Sequence, residues 1–502
     1  MSDDERTGEP AMDQMTGIAP GAQAAWSGAL YDGGFTPAQG GLLEVTEKAT
    51  GQTLATVGLA TPADVSRIAA RAAAAQPAWA ARPAPERAAI LRDVAARLEA
   101  DWEAAAGWIM RETGAVRPKA DFEIFTVVAF FREAAAMLDQ PTRMDVQASG
   151  AARSYAQRVP HGVVGVISPF NFPLILSMRA VAPALAVGNA VLLKPDPQTP
   201  ICAGLMMAPL FEAAGLPAGL FNVLPGGAEA GEALVSDPHV RMIAFTGSTA
   251  AGRKVGALAG GHLKKVSLEL GGKNALIVLA DADLELAVSA AAYGAFLHQG
   301  QICMAAGRIL VHHDIAGAFT AKLVEHAARL PVGDPMSGQV ALGPLINARQ
   351  ASRVQGLVSQ SVAAGARLLT GGTAEGLFYP ATVLAGVTPG MAVFEEEVFG
   401  PVANIVTFGT DDEAVELANA GEYGLSAGIM SADTAHALAL GARIRTGMLH
   451  INDQTVVHEP HIPFGGVGAS GNGGRIGGAA NWDEFTQWQW VTVKDAPPAY
   501  PF

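Results

Sequence analysis

Cys303 and Glu269 are the two residues whose types and settings could do covalent chemistry. Cys303 closes the run Phe296-Leu297-His298-Gln299-Gly300-Gln301-Ile302-Cys303, where an alanine-rich, helix-like segment stops at a glycine. Glu269 lies 34 residues earlier, in Leu268-Glu269-Leu270-Gly271-Gly272-Lys273-Asn274, at the end of an apolar, strand-like run. A cysteine nucleophile needs partial exposure and a route to the thiolate, and a carboxylate nearby can act as its base. A lone cysteine is more often a small buried hydrophobe. The chain's other cysteine, Cys202, has no comparable setting, whereas Cys303 and Glu269 each stand beside glycine.

The elements that must position this pair read as β-α-β-α-β between Val159 and Thr246. Val163 to Ser168 reads as a buried strand, and Pro169-Phe170-Asn171-Phe172-Pro173 as a turn opening a helix. Ala190 to Lys194 reads as a strand, Pro200 to Ala214 as a helix, and Leu220 to Leu224 and Arg241 to Thr246 as further strands. Strands alternating with helices at this spacing predict a parallel sheet with right-handed crossovers, and ligands bind such sheets beyond the carboxyl ends of the strands. Asn171, Lys194 and the loop Gly247-Ser248-Thr249-Ala250-Ala251-Gly252 fall there. The loop follows a strand and opens a helix, which suits phosphate contact or a plain structural turn. Lys194, between an apolar strand and Pro195, fits a binding residue or a solvated surface lysine.

Upstream, Leu30 to Val57 reads as short strands with glycine turns. Thr61-Pro62 supplies a cap and a first-turn proline for a helix from about Ala63 to Ala81. A second helical pattern runs from Pro85 to Glu112, with Trp79, Trp102 and Trp108 read as core. Residues 142 to 158 alternate like a strand pair leaving the main body. After Cys303 a second α/β pattern runs to about residue 470, and Trp488 to Val493 reads as a strand with no partner in its own neighbourhood. With the segment near 142 to 158 it could complete a sheet with another subunit.

The 502 residues exceed the size at which one core keeps growing, so two or three domains are expected. Half the residues are hydrophobic and 58 are glycine, which suits a large α/β enzyme with buried strands and tight turns. A net charge of −14 argues against nucleic acid, whose phosphates need clustered Lys and Arg. The acidic amino terminus lacks the basic and apolar regions of a signal peptide. The run Ala180 to Leu193 is too short to span a bilayer, and no membrane partner is expected. Two cysteines give no disulfide framework, so a reducing cytoplasm is the expected location. No metal is expected.

Seven blocks in order resemble the aldehyde dehydrogenase superfamily: Pro-Phe-Asn171-Phe-Pro, Leu-Leu-Lys194-Pro, Phe-Thr-Gly247-Ser248-Thr, Leu-Glu269-Leu-Gly-Gly-Lys, Gly-Gln-Ile-Cys303, Glu397-Val-Phe399-Gly-Pro and Pro-Phe464-Gly-Gly-Val. Within it, the runs His450 to Val456 and Pro463 to Gly474, with Glu484-Phe485-Thr486, Gln489-Trp490-Val491-Thr492 and Tyr500-Pro501-Phe502, are similar to bacterial benzaldehyde dehydrogenases. The resemblance implies a Rossmann-like NAD(P)-binding domain over 1–142 and 161–268 and an α/β catalytic domain over 269–470. It also implies a β oligomerisation arm over 143–160 and 471–502, in a homodimer or homotetramer.

The same resemblance implies that Cys303 attacks an aldehyde, that Asn171 and the Cys303 backbone N–H stabilise the oxyanion, and that Glu269 activates the water that hydrolyses the thioester. The cofactor would be held by Lys194, Gly247, Ser248, Gly252, Leu270, Glu397, Phe399 and Ser168. Phe172, Leu176, Arg179, Ile302, Met304 and Phe464 would line the aldehyde pocket, whose apolar and aromatic character suits benzaldehyde-type substrates. The alternatives are aliphatic aldehydes or semialdehydes and, more remotely, a CoA-acylating or non-catalytic relative. The retained Glu269, Cys303 and Asn171 speak against the last two.

Three positions depart from the family pattern. Pro197 stands where many members carry a glutamate that binds the adenosine ribose, so NAD is expected as the working cofactor with NADP also accepted. Arg475 replaces a second glutamate near the substrate channel, leaving Glu269 as the principal base. Arg179 replaces a tunnel tryptophan. It could steer an anionic substrate or pair with a neighbouring carboxylate, and the cost of an unmatched buried charge favours pairing.

Overall fold

The computed structural model describes Ile18, residues 26–148 and residues 150–501. The reading of the amino-terminal tail falls on residues outside that set, as does Phe502. The described strands are, in chain order, β1 (Ala29–Tyr31), β2 (Phe35–Pro37), β3 (Leu42–Thr46), β4 (Thr53–Gly58), β5 (Arg143–Asp145), β6 (Arg153–Pro160) and β7 (Val163–Ile167). There follow β8 (Ala190–Lys194), β9 (Phe221–Val223), β10 (Val240–Thr246), β11 (Lys265–Glu269), β12 (Asn274–Val278), β13 (Ala306–His312) and β14 (Arg367–Thr370). The last are β15 (Thr382–Ala385), β16 (Val402–Phe408), β17 (Ser426–Met430), β18 (Met448–Ile451) and β19 (Thr486–Val493).

These strands build two seven-stranded sheets, the α/β architecture expected from the sequence. The first has the order β11-β10-β7-β8-β9-β1-β2, parallel from β11 to β9 and extended by the antiparallel β1 and β2. The second has the order β14-β15-β16-β13-β12-β17-β18, parallel except for β14. The first sheet's last strand ends at Glu269 and the second's first begins at Asn274. Every residue of β7, β8, β12 and β17 is buried, which is why polar side chains occur only at the ends of these strands.

Register is what makes a site. Ile167 lies opposite both Phe245 and Lys194, and Thr246 lies opposite Glu269. The carboxyl ends of β7, β8, β10 and β11 therefore share one edge. The Asn171 turn, Lys194, the Gly247 loop and Glu269 all start from it.

The helices differ from the sequence reading in three places. Pro200 to Ala214 is not one helix but Pro200–Ala203, a 3-10 turn Leu205–Met207, and Ala208–Ala213. The break falls at Gly204, where a Cβ would meet the Leu193 side chain at 2.7 Å, so the chain must bend to lie against the sheet. Pro85 to Glu112 divides at Asp101 into Ala84–Ala100 and Trp102–Thr113, the latter ending on left-handed Gly114. The helix Arg117–Ala136 was not anticipated and proves to carry one wall of the site. The three tryptophans pack as expected, Trp79 and Trp108 buried and Trp102 half-buried.

The carboxyl-terminal strand has no partner in its own neighbourhood, as its reading held, and joins the segment read near 142 to 158. β19 pairs antiparallel with β6 over eight residues, Thr486 opposite Pro160 through Val493 opposite Arg153, and β5 completes a three-stranded sheet. Its partner lies within the same chain but more than 300 residues away, beyond the reach of local pattern. No helix of the described residues is long and apolar enough to cross a membrane.

The helix Pro62–Ala80 starts as the sequence predicts. The Thr61 hydroxyl accepts from the Asp64 N–H at 3.1 Å, and the Asp64 carboxylate accepts from the Thr61 N–H at 3.0 Å. Thr61→Ala should destabilise this turn by about 1 kcal/mol, seen as faster amide hydrogen exchange over its first turn, whereas Thr61→Ser should not. Unchanged exchange in Thr61→Ala would show that the cap contributes nothing.

Candidate active site

Cys303 follows a turn in which His298, Gln299 and Gly300 all have left-handed backbone, with φ of 47°, 54° and 64°. The turn is tied down from several directions. The Gln299 amide donates to the Gly114 carbonyl at 3.0 Å, and the Gln301 side-chain oxygen accepts from the Ile346 N–H at 3.0 Å. The Asn171 amide donates to the Gln301 carbonyl at 2.9 Å, and the Asn274 amide to the Cys303 carbonyl at 2.8 Å. Asn171 and Cys303 are thus held as neighbours by the backbone between them.

Glu269 ends β11 and is buried, yet neither of its carboxylate oxygens has a hydrogen-bond partner. Burial pushes its carboxyl up to about 8, against the pull of the Arg179 and Arg475 charges. Burial likewise pushes the Cys303 thiol up to about 12, with Arg179 drawing it down and Glu397 and Glu269 raising it further. A carboxylate without partners, poised to titrate near neutral pH and coupled to a thiol, is suited to general-base work.

Two cavities meet at this point. One, of about 220 Å³, is lined by Phe172, Leu176, Arg179, Ile302, Met304 and Phe464, together with Asn171 and Cys303. The other, a cleft of about 540 Å³, runs past Ser168, Lys194, Gly247, Ser248, Leu270, Glu397 and Phe399 along the carboxyl ends of the first sheet. Asn171, Leu176 and Cys303 line both. In the cleft, Ser248 caps the helix Thr249–Gly261 by accepting from the Ala251 N–H, and the first-turn residues Thr249, Ala250 and Ala251 line the opening. Glu397 accepts from the Gly272 N–H at 3.1 Å, and Gln350 donates to the Phe399 carbonyl at 2.8 Å, fixing that left-handed residue.

Three expectations are corrected. Gly252 does not line the cleft: a Cβ there would meet the Leu270 side chain at 2.3 Å, so this glycine lets Leu270 pack onto the helix. Arg179 forms no ion pair among the described residues. Its guanidinium donates to the Thr246 hydroxyl at 2.7 Å and lies 5.1 Å from the Phe464 ring centre. Lys194 is a buried residue rather than a solvated one, its ammonium donating to the Pro195 carbonyl at 3.0 Å. The cleft passes Asp196 but not Pro197, so a carboxylate does stand near Lys194.

Other lining residues escaped the sequence reading. Phe122 comes from the unanticipated helix Arg117–Ala136, and Tyr293 from the helix ahead of Cys303. His458 follows the segment His450 to Val456 directly, and extending that run by two residues would have found it. Arg349 and Arg353 bring cations to the cleft from a helix that bears no motif.

The aldehyde dehydrogenase family profile matches residues 35–491. The chain belongs to the aldehyde dehydrogenase family. It is 54% identical over 478 residues to a vanillin dehydrogenase of an Amycolatopsis species, covering 95% of this chain and 98% of that one. It is 50% identical over 481 residues to a benzaldehyde dehydrogenase [NAD(+)] of Pseudomonas putida, covering 96% and 99%. Among solved structures, a salicylaldehyde dehydrogenase from Pseudomonas putida G7 complexed with salicylaldehyde superposes with a TM-score of 0.91 at 35% identity, over 94% of this chain and 99% of that one. The α/β architecture is therefore the aldehyde dehydrogenase fold.

Because Arg179 is the cation that holds down both Glu269 and Cys303, Arg179→Met should raise both groups further. Alkylation of Cys303 by iodoacetamide between pH 7 and 9 should then be slower than in the wild type. An equal or faster rate would show that Arg179 does not act on the thiol.

Proposed function

We propose that this protein oxidises aromatic aldehydes of the benzaldehyde type to carboxylic acids with NAD. The observation that carries the reading is the position of Cys303, at the junction of a small apolar cavity and a long cleft, within the electrostatic reach of an unpartnered Glu269 carboxylate. The vanillin and benzaldehyde dehydrogenases among its relatives support the same substrate class.

The Cys303 sulfur attacks the aldehyde carbon, and charge develops on the carbonyl oxygen. Asn171 commits one amide hydrogen to Gln301, leaving the other for this oxygen together with the Cys303 backbone N–H. Each such donor is worth roughly 3–4 kcal/mol in the transition state. NAD held in the cleft would supply the hydride acceptor that oxidises this adduct to the Cys303 thioester. Glu269 then takes a proton from the water that attacks the thioester, and the acid and the Cys303 thiol are released. Phe172, Leu176, Ile302, Met304 and Phe464 enclose the ring by burial and aromatic contact, which an aliphatic chain of two carbons cannot fill.

The cleft fits a dinucleotide. The N-terminus of the helix Thr249–Gly261 would offer its remaining N–H groups to a phosphate, Arg349 and Arg353 add cations, and Glu397, whose charge acts on Cys303, lines the same cleft with Phe399. Lys194 and Asp196 would meet the adenosine ribose. The carboxylate that accepts from ribose hydroxyls and repels a 2′-phosphate is then Asp196, and NADP use is weaker than NAD use but measurable.

The acidic, cysteine-poor chain suits the cytoplasm, with no nucleic-acid or membrane partner. A homodimer or homotetramer is the proposed assembly. β18 and β19 are sheet edges, and β19 exposes Trp488 and Trp490, as a strand buried by a second copy would.

The chemistry is tested by Cys303→Ala, which should abolish turnover with the fold intact, and by Glu269→Gln, which should accumulate thioester. Wild-type deacylation should rise with pH through an inflection near 8, as Glu269 ionises, and Glu269→Gln should lose that inflection. Full steady-state activity in Cys303→Ala would sink the assignment, and a higher kcat/KM for acetaldehyde than for benzaldehyde would refute the substrate class. For the cofactor, Asp196→Asn keeps an acceptor for the Gln198 N–H, now at 2.9 Å from Asp196 Oδ1, but removes the charge. Its kcat/KM with NADP should rise by about ten-fold relative to NAD, a difference of about 1.4 kcal/mol. An equal change with both cofactors would mean that Asp196 does not face the ribose.

A further inference from the structure

The wall that carries Asn171 begins a helix, Pro173–Ala186, that has no side-chain cap of its own. Phe172 occupies the cap position and Pro173 has no N–H. The next two N–H groups, of Leu174 and Ile175, both donate to Glu123 Oε2, at 3.0 and 3.1 Å. Glu123 comes from the helix Arg117–Ala136, so one carboxylate ties the two helices together at the end of the Asn171 turn. The other Glu123 oxygen accepts from the Lys119 ammonium one helical turn away, and both side chains are fully enclosed.

Lys119 has a second contact. Its ammonium lies 4.6 Å from the centre of the Phe172 ring, within the range of a cation–π interaction. Phe172 in turn packs against the His298 ring at 5.4 Å and edge-on to Phe122 at 6.5 Å. His298 begins the left-handed turn that leads to Cys303, and Phe122 shares the helix of Lys119 and Glu123. One buried ion pair thus touches the turn bearing the oxyanion donor and the ring that forms the cavity wall. A buried pair is a weak source of stability, because desolvation offsets most of its attraction, and replacing both partners by neutral groups is often tolerated. Its place here calls for another account.

We propose that Lys119 and Glu123 are positioning residues for the oxidation: Glu123 fixes the Asn171 turn through the first turn of the following helix, and Lys119 fixes the Phe172 ring. The inference rests on the reading of Asn171 as the oxyanion donor. A displacement of that amide by a fraction of an ångström would slow the step in which charge develops, with little effect on cofactor binding.

The test uses Lys119→Met, Glu123→Gln, the double variant and Asn171→Ala in the full-length enzyme. It measures Tm, the rate of the first NADH burst with saturating benzaldehyde, and the Kd for NAD by fluorescence titration. Each single variant should lower Tm by stranding one buried charge, and the double variant should recover most of it. The double variant's burst should remain slower than the wild type by about ten-fold or more, with Kd for NAD unchanged. A double variant that regains both Tm and burst rate would overturn the proposal, since the pair would then be structural only. If the double variant does not fold, Lys119→Met decides, since it removes the cation beside the Phe172 ring while Glu123 remains to accept both N–H groups. A wild-type burst in that variant overturns the proposal, and a slowed one supports it. Asn171→Ala separates the two readings. A wild-type burst there removes the oxyanion role itself and the proposal with it, whereas a slow Asn171→Ala beside a fast double variant removes only the positioning role.

Discussion

Everything in the site depends on one stretch of strained backbone. His298, Gln299 and Gly300 lie consecutively in the left-handed region, and the first two are residues for which this costs about 1–3 kcal/mol each. Gly300 is confined as well, since a Cβ there would approach the Gly400 carbonyl oxygen to 2.1 Å. Four hydrogen bonds offset the strain, each contributing about 1 kcal/mol, and their partners are Gly114, Ile346, Asn171 and Asn274. Those residues come from a helix end, a loop, the edge of the first sheet and the start of the second. The turn is tolerable only once these parts have docked, so the nucleophile reaches its position as a consequence of the complete fold.

The electrostatics follow from the same crowding. Glu269, buried, and Glu397, partly buried, both act on Cys303, and burial outweighs the pull of neighbouring cations to raise them to about 8 and about 7. Arg179 is the nearest compensating charge, yet it is held by the Thr246 hydroxyl and the Phe464 face instead of by a carboxylate. That separation matters. A close ion pair would drag Glu269 back toward the ordinary carboxylate range and occupy the lone pairs a base needs. Arg179 therefore moderates both Glu269 and Cys303 without quenching either.

Much of this was legible in the sequence because the chemistry sits at strand ends. Glu269, Lys194 and Gly247 follow apolar runs whose register aligns them on one edge, and period and punctuation reveal such runs. What could not be read was set by contacts between distant segments. Gly204 breaks a helix because Leu193 and Val223 lie beneath it, and no local pattern announces them. Gly252 looked like a phosphate residue and serves Leu270 packing. Arg179 was expected to find a carboxylate, and its actual partners, a hydroxyl and a ring, come from strand β10 and from a loop beyond residue 460. Phe122, Lys119 and Glu123 belong to a helix whose mixture of apolar and charged residues hides which face is inward, because here charged residues face inward too.

The two raised acidities also decide where the proposed chemistry must be helped. Burial raises the thiol and the Glu269 carboxyl together, and it leaves the thiol the weaker acid of the two, so passing the proton from sulfur to carboxylate is uphill. The base alone does not drive attack on the aldehyde. Two oxyanion donors, each worth roughly 3–4 kcal/mol in the transition state, work against that climb. Acylation is then governed by how well Asn171 and the Cys303 N–H are aimed. Deacylation has the opposite balance: its nucleophile is water, its base is Glu269, and a carboxyl that titrates near 8 is a stronger proton acceptor than an ordinary one while still partly ionised at neutral pH. Burial of Cys303 hinders acylation by raising the thiol, whereas burial of Glu269 helps deacylation by making its carboxylate a stronger proton acceptor. One environment can serve both half-reactions because the backbone around Asn171 and Cys303 is held so firmly.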